Sequence, residues 1–231
     1  MVVLTGDTHG DFERIFEFCE EYETTTEDIM IILGDSGINY FLDDSDYQLK
    51  EQLSELPITL FCIHGNHEER PYMISTYEEE EWHGGIVYVE SEFPNIIFAK
   101  DGEIYDLDGK RAIVIGGAYS IDKYSRISNN SPWFETEQPD EEIIKYVEQQ
   151  LERCRWEVDY VFTHTAPLKY EPTDTFLGFV DQRLVDKTTE KWLDSIEYRL
   201  SYLRWYCGHY HIDRDMGRIM LLFQEFVDLG D

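Results

Sequence analysis

Side chains that can bind metal ions recur at the ends of short apolar runs in this sequence. Five such runs stop at a loop that carries Asp, His or Asn. The groups are Asp7 with His9, Asp35, Asn66 with His67, His164, and His209 with His211. A lone histidine at a strand end is usually structural. Five such ends at one sheet edge would supply enough oxygen and imidazole ligands for two divalent cations, a composition that suits Mn, Fe or Zn better than Ca.

The elements before these groups explain how they could meet. The run from Leu60 to Ile63 leads directly into Gly65, Asn66 and His67, which is typical of a buried strand followed by a turn. Open α/β sheets place their active sites at the carboxyl ends of such strands. Burying so many polar groups at one point without metal would be costly. The sequence therefore predicts a metal centre at one sheet edge.

The first hundred residues alternate strand and helix patterns. A run over 2–4 and another over 29–33 flank a helical face formed by Phe12, Ile15, Phe16 and Cys19, for which Asp11 is the predicted N-cap. This strand, helix, strand order predicts parallel pairing. Ser45 and Gln48 form a capping-box pattern for a second helix that ends before Pro57.

The sequence pattern changes in the middle of the chain. The acidic stretch that includes Glu78 to Glu81 is predicted to be a solvated helix face or loop. Four β-rich runs between 86 and 115, with Asp108-Gly109 as a hairpin turn, predict a second, antiparallel sheet. Further helices are predicted over 139–154 and 189–200. Two aromatic segments, 119–138 and 168–185, are predicted substrate or lid loops, with a packed surface excursion as the alternative for the first.

Composition limits the classes of protein to which the chain can belong. Its 231 residues are 42% apolar, enough for one core, and we expect a single domain over 1–231. The 49 acidic residues exceed the 19 basic ones by 30, which argues against nucleic acid and anionic membranes as partners and also favours solubility. Four separated cysteines without a C-x-x-C spacing predict reduced core thiols. With no signal-peptide pattern at the start, a cytoplasmic location is expected.

Taken in order, the polar motifs resemble those of the calcineurin-like metallophosphoesterases. They are Gly6-Asp7-Thr8-His9-Gly10, Gly34-Asp35, Gly65-Asn66-His67-Glu68, His164 and Gly208-His209-Tyr210-His211. The segments 116–120, 163–167 and 205–209 are similar to those of small uncharacterised bacterial or phage members. The resemblance implies an α/β fold, a four-layer α/β/β/α sandwich of two mixed sheets flanked by helices.

The resemblance also implies roles for individual residues. Asp7, His9 and His211 would hold one divalent metal ion, and Asn66, His164 and His209 a second, with Asp35 bridging the two. Mn²⁺ is the first choice for both ions, with Fe or Zn as alternatives, and no other cofactor is implied. A hydroxide shared by the two ions would attack the phosphorus atom. His67 would protonate the leaving oxygen.

Two positions depart from the protein-phosphatase branch of this family. Ile38 stands where that branch has the carboxylate partner of the proton-donating histidine, and His64 stands where it has an arginine. The usual phosphate-clamping arginines are therefore missing. Arg70, Lys123, Arg126 and Arg183 are the candidates to replace them, while His64 and His83 are interpreted as structural.

We therefore predict a metal-dependent phosphoesterase. Its substrate would be a small phosphomonoester, a nucleotide or a phosphoprotein. One alternative is a phosphodiesterase or nuclease of the same fold, although a nuclease would normally have a basic groove. The other is a metal-binding interaction module without catalysis. The oligomeric state is not predicted.

Overall fold

A computed structural model describes residues 1–230, which contain thirteen β-strands and five α-helices. The strands are β1 (Val2–Thr5), β2 (Ile29–Ile32), β3 (Thr59–Cys62), β4 (Glu78–Trp82), β5 (Gly85–Val89), β6 (Ile96–Ala99), β7 (Ile104–Leu107), β8 (Lys110–Ile115), β9 (Tyr160–Thr163), β10 (Arg204–Cys207), β11 (Arg214–Asp215), β12 (Ile219–Leu221) and β13 (Val227–Asp228). The α-helices are α1 (Glu13–Tyr22), α2 (Asp44–Leu53), α3 (Lys123–Ser128), α4 (Glu141–Arg153) and α5 (Thr188–Arg199).

The strands form two mixed sheets. The first has the order β13-β1-β2-β3-β6-β5-β4, in which β1, β2, β3 and β6 are parallel. The second has the order β11-β12-β10-β9-β8-β7, in which β8, β9, β10 and β12 are parallel. Parallel strands in one sheet end at the same edge, so each sheet presents several loops together.

The two sheets pack face to face, and helices cover their outer faces. Alternate residues of β1, such as Val3 and Leu4, belong to different layers of the core, as the period of a strand requires. Leu4 lies in the inner layer with residues of both sheets, whereas Val3 packs beneath α1 and α2. The helices α4 and α5 cover the second sheet. The predicted four-layer α/β/β/α arrangement is confirmed.

The prediction that the four runs between 86 and 115 form one antiparallel sheet is wrong. The four runs between 86 and 115 divide between the sheets: β5 and β6 lie in the first sheet, and β7 and β8 in the second. The hairpin at Asp108-Gly109 is confirmed between β7 and β8. Local β-propensity marks strands but carries no information about which sheet they join.

Three smaller expectations were also wrong. Helix α1 has Phe12 at its N-cap position, although Asp11 accepts a hydrogen bond from the Glu13 amide at 3.1 Å. Helix α2 is capped by Asp43, whose side chain accepts from the Ser45 amide at 2.8 Å. The acidic residues 78–81 form edge strand β4, where charged side chains oppose pairing with other chains. In the described part of the chain, no helix has the length and apolarity to cross a membrane.

Candidate metal centre

All five predicted loops reach one edge of the sandwich. Loops after β1, β2 and β3 bring Asp7 with His9, Asp35, and Asn66 with His67 from the first sheet, and loops after β9 and β10 bring His164, and His209 with His211 from the second. Because the two sheets pack face to face, residues far apart in the chain become neighbours. His9 and His211 are separated by 202 positions, yet their Nε2 atoms lie 2.9 Å apart.

One group of ligand atoms forms around Asp7. Its Oδ2 atom lies 3.2 Å from His211 Nε2 and 3.9 Å from His9 Nε2. This oxygen is buried and has no hydrogen-bond donor in suitable geometry among the described residues. A buried carboxylate oxygen without a donor, facing two imidazole nitrogens, is the arrangement expected of a metal site.

A second group forms around Asp35. Its Oδ1 atom lies 3.5 Å from His164 Nε2, and its Oδ2 atom lies 3.9 Å from His9 Nε2. His164 Nε2 lies 2.8 Å from the Asn66 side-chain oxygen, and the His209 ring centroid is 4.9 Å from that of His164. Asp35 therefore faces donor atoms of both groups.

His67 lies at the border of the second group. Its backbone amide donates to Asp35 Oδ1 at 2.7 Å, and its ring could itself join His9 and Asp35 in holding an ion. The ring is stacked with Tyr40 at 6.3 Å between centroids, and the His9 ring meets it edge-on at 5.2 Å. These two rings restrict the orientation of the His67 ring. Within residues 1–230, no carboxylate forms a hydrogen bond with it.

The backbone at the candidate ligands is strained. Asp35, His9, His209 and His211 have positive φ angles of 48°, 49°, 68° and 50°, a region that residues other than glycine seldom adopt. Such conformations concentrate at functional sites, where the surrounding structure maintains them. The strain at four of the seven predicted ligands is independent support for a function at this edge.

Two glycines allow the loops to approach closely. A Cβ atom on Gly34 would lie 2.1 Å from His164 Nδ1, and one on Gly208 would lie 2.3 Å from Asp7 Oδ1. No side chain fits at those distances. His164 Nδ1 is also held by the Leu33 carbonyl at 2.8 Å, which leaves Nε2 directed into the site.

Charge in the cluster is suited to a cation. Burial opposes ionisation of Asp35, but the charge of His164 and its hydrogen bond hold the pKa of this carboxyl well below its usual range. Burial also opposes ionisation of Asp7, and the neighbouring His211 and His164 keep its pKa low. Two ionised, buried carboxylates need positive charge beside them.

The histidines respond to the same charges. Burial favours neutral His164, yet Asp35 and Asp7 raise its pKa to about 9. Burial and the charge of His164 lower the pKa of His209 to about 3, which leaves a neutral ring able to bind metal. The donor set of two carboxylates, one amide oxygen and four imidazoles therefore fits two divalent cations.

Two functional supports escaped the sequence analysis. Buried Glu68 accepts a hydrogen bond from the Gly65 amide at 2.8 Å and a short one from the Ser36 hydroxyl, and so ties the Asp35 and Asn66 loops together. Burial raises its pKa to about 7. Arg14 donates to the carbonyls of Gly6 at 3.0 Å and Asp7 at 3.2 Å. Glu68 belongs to the motif Gly65-Asn66-His67-Glu68, which could have indicated a role for it. No local sequence pattern indicates a role for Arg14.

The four candidate phosphate clamps lie in different places. Arg70 is buried in an ion pair with Asp101, Arg183 pairs with Asp181 at the surface, and Lys123 lies 3.9 Å above the Trp133 ring. Arg126 alone among them contacts the metal motif, with its Nη1 3.5 Å from the Asn66 carbonyl oxygen.

The two remaining histidines lie apart from the metal-binding groups. His64 is fully buried, and burial lowers its pKa well below the usual range. His83 is exposed, with its Nδ1 2.8 Å from the Asp106 carbonyl oxygen. Neither belongs to the groups that could hold an ion.

Comparison with known proteins identifies the family. The sequence profile of the calcineurin-like phosphoesterases matches residues 1–213. The chain belongs to that family. Calcineurin-like phosphoesterases are metal-dependent hydrolases of phosphate esters, so this chain is a phosphoesterase enzyme.

Two solved structures are similar to this chain, and the first of them, whose TM-score exceeds 0.5, supports the same fold. Protein TT1561 of Thermus thermophilus is 13% identical and has a TM-score of 0.52, with 96% of this chain and 87% of that chain covered. The phosphopantetheinyl hydrolase of Mycobacterium tuberculosis is 14% identical, has a TM-score of 0.49, and is matched over 96% of this chain and 89% of its own. No curated protein matches the sequence.

A buried carboxylate beside the second sheet, Glu190, predicts that the stability of this phosphoesterase depends on pH. Glu190 accepts a hydrogen bond from Thr165 Oγ1 at 3.0 Å, while its other oxygen has no partner within the described chain. Burial raises its pKa to about 7 from an ordinary 4.5. Stability from this group is therefore fully present below pH 4.5 and is lost as the pH rises through 7.

Glu190→Gln should accordingly raise the free energy of unfolding at pH 8 by about 2–3 kcal/mol and change it little at pH 5. Urea unfolding at both pH values measures this. Glu197→Gln is the matched control on the same helix. Burial opposes ionisation of Glu197, but a hydrogen bond from Lys169 lowers its pKa, so its loss should destabilise the protein at pH 8. Equal effects of Glu190→Gln at the two pH values would contradict the prediction.

Proposed function

We propose that this protein hydrolyses phosphate esters at a dinuclear metal centre. Asp7, His9 and His211 would hold one ion, Asn66, His164 and His209 the other, and Asp35 both. The observation that carries the proposal is the position of Asp35, whose two oxygens face different groups, His164 Nε2 at 3.5 Å and His9 Nε2 at 3.9 Å. Mn²⁺ is the proposed metal, with Fe or Zn as alternatives.

The metal ions, when bound, would activate a water molecule and neutralise charge on the phosphoryl group. The protein itself would position the metal ligands and donate a proton to the leaving group. His164 is fixed by the Leu33 carbonyl, and Asn66 donates from its amide nitrogen to Ser120 Oγ at 3.0 Å, which directs its oxygen into the site. His67 would donate a proton to the leaving oxygen. Burial lowers the pKa of His67, and the charge of a phosphoryl group beside the ring would counteract that effect.

We propose a small phosphomonoester, a nucleotide or a phosphoprotein as the substrate. The net charge of −30 disfavours the nuclease alternative, because a nucleic acid would be repelled at long range. The free cysteines Cys19, Cys62, Cys154 and Cys207 suit a reducing compartment, which supports a cytoplasmic location.

Metal dependence tests this proposal directly. Protein stripped of metal should be inactive towards p-nitrophenyl phosphate and bis-p-nitrophenyl phosphate, and added Mn²⁺ should restore turnover of the monoester. Calorimetric titration with Mn²⁺ should show two ions per chain. A protein that binds two ions and hydrolyses neither ester would favour the non-catalytic interaction module. Faster cleavage of the diester would favour the phosphodiesterase.

A further inference from the structure

A cavity of about 410 Å³ opens directly over the candidate metal centre. Its floor is formed by the candidate ligands and His67, and its walls come from the two segments predicted as substrate loops. Ile121 and Asp122 belong to the first segment, and Phe176, Leu177 and Gln182 to the second. A volume of this size suits a small organic molecule. An ester held with its phosphorus atom at the floor would place its leaving group between these walls.

The walls are largely apolar. Phe176 lies nearly parallel to Tyr210, with an angle of 17° between the rings and 6.4 Å between their centroids. Leu177 and Ile121 are 49% and 46% exposed and line the same space. Covering such exposed apolar side chains with an apolar group of a ligand removes apolar surface from water, which favours binding.

The walls also offer little positive charge to an anion. Lys187 is the only lysine or arginine among the described residues that line the cavity, and its Nζ lies 2.5 Å from Glu171 Oε1 and 5.0 Å from the Phe176 ring. The carboxylate of Asp122 lies on the wall, 3.9 Å from the guanidinium of Arg126. Arg126 itself is buried behind the Asn66 loop. An anionic leaving group would lose its hydration here without gaining an unpaired cation.

We propose that the leaving group of the natural substrate is a small, uncharged aromatic or aliphatic alcohol. This rests on the proposed phosphomonoesterase function and narrows it. A sugar phosphate with a carboxylate, a nucleoside di- or triphosphate, or a nucleic acid would each place negative charge against these walls. A nucleoside monophosphate loses an uncharged nucleoside and remains compatible.

Two matched esters test the proposal with the Mn²⁺-loaded enzyme. 2-Naphthyl phosphate and its 6-carboxylate derivative differ in the charge of the leaving group at nearly the same size. We expect kcat/KM to favour the neutral ester by about 10-fold or more. Leu177→Lys should reduce this preference about 5-fold, through faster turnover of the carboxylated ester, because it adds a cation to the wall.

Leu184→Lys is the matched control, since Leu184 is an exposed leucine of the same loop that does not line the cavity. It makes the same change in net charge and should leave the preference within about 2-fold of the parent. Equal turnover of the two esters by the parent protein would overturn the proposal. So would an equal shift in both leucine variants, which would show an effect of overall charge, and so would much faster turnover of phosphoserine peptides.

Binding separates this proposal from the proposed function. The affinities of 2-naphthol and 6-carboxy-2-naphthol can be measured by calorimetry without any turnover. We expect the neutral alcohol to bind about 10-fold more tightly. Leu177→Lys should reduce this difference in affinity between the two alcohols. A protein that hydrolyses no ester but shows this binding preference would contradict the phosphoesterase assignment and leave only the preference of the cavity for a neutral ligand. Turnover of p-nitrophenyl phosphate with equal binding of the two alcohols would contradict only the leaving-group assignment.

Discussion

Asp35→Asn is expected to weaken the binding of both metal ions by about 100-fold or more and to abolish turnover. Loss of an outer-shell partner already weakens metal binding 10- to 100-fold, and Asp35 faces both groups of ligands directly. The variant keeps the size of the side chain but removes its charge, so the loss reports electrostatics and bridging. Titration with Mn²⁺, followed by calorimetry, measures both affinities.

Asp46→Asn is the control for this variant. Asp46 is also buried, and its carboxylate accepts hydrogen bonds from the amides of Phe41 at 3.1 Å and Leu42 at 2.7 Å. It does not belong to the groups that could hold an ion. Its replacement should leave the number of bound ions unchanged. If Asp35→Asn still bound two ions with parental affinity, the bridging assignment would be wrong.

His67→Ala is expected to reduce turnover by about 10²–10⁴-fold while both ions remain bound. The reason is that His67 is assigned to protonate the leaving oxygen. An ester with a good leaving group, such as p-nitrophenyl phosphate, needs that proton less, so the loss should be larger for phenyl phosphate. Steady-state kinetics on the two esters, with metal content measured in parallel, test this.

His83→Ala is the matched histidine control, because His83 is exposed and remote from the candidate ligands. Unchanged turnover in His67→Ala would remove His67 from the mechanism. Loss of an ion from that variant would instead make His67 a ligand, which its distances to His9 and Asp35 also allow.

The site residues were easier to recognise in the sequence than the parts of the fold around them. Asp7, Asp35, Asn66, His164 and His209 each follow a short apolar run, so local pattern marked both the strand and the group at its end. The motif order was sufficient to indicate the family that the profile match identifies. Apart from the N-caps of α1 and α2, the wrong expectations concerned strand pairing. Sheet membership of β5 to β8 depends on long-range pairing, and the acidic strand β4 forms because β5 provides hydrogen-bond partners along its backbone.

The charges and walls around the site depended on contacts that local sequence cannot show. Arg126 could not be separated from Arg70 by composition, because the difference lies in Asp101, which neutralises Arg70 across 31 positions. Similarly, Lys187 is withdrawn from the cavity by Glu171, which lies 16 positions earlier. Only the packed structure shows which charges are already paired.

The amino-acid sequence by itself determined which chemical groups stand at the strand ends, because each strand and its loop are encoded by neighbouring residues. The tertiary structure decided that these ends converge, that Asp35 faces two groups of donors, and that an apolar cavity covers them. Convergence requires two sheets to pack at one relative position, which brings His9 within 2.9 Å of His211 over a separation of 202 residues. The free energy of that packing comes from inner-layer residues such as Leu4, Phe61 and Phe162, which take no part in the chemistry.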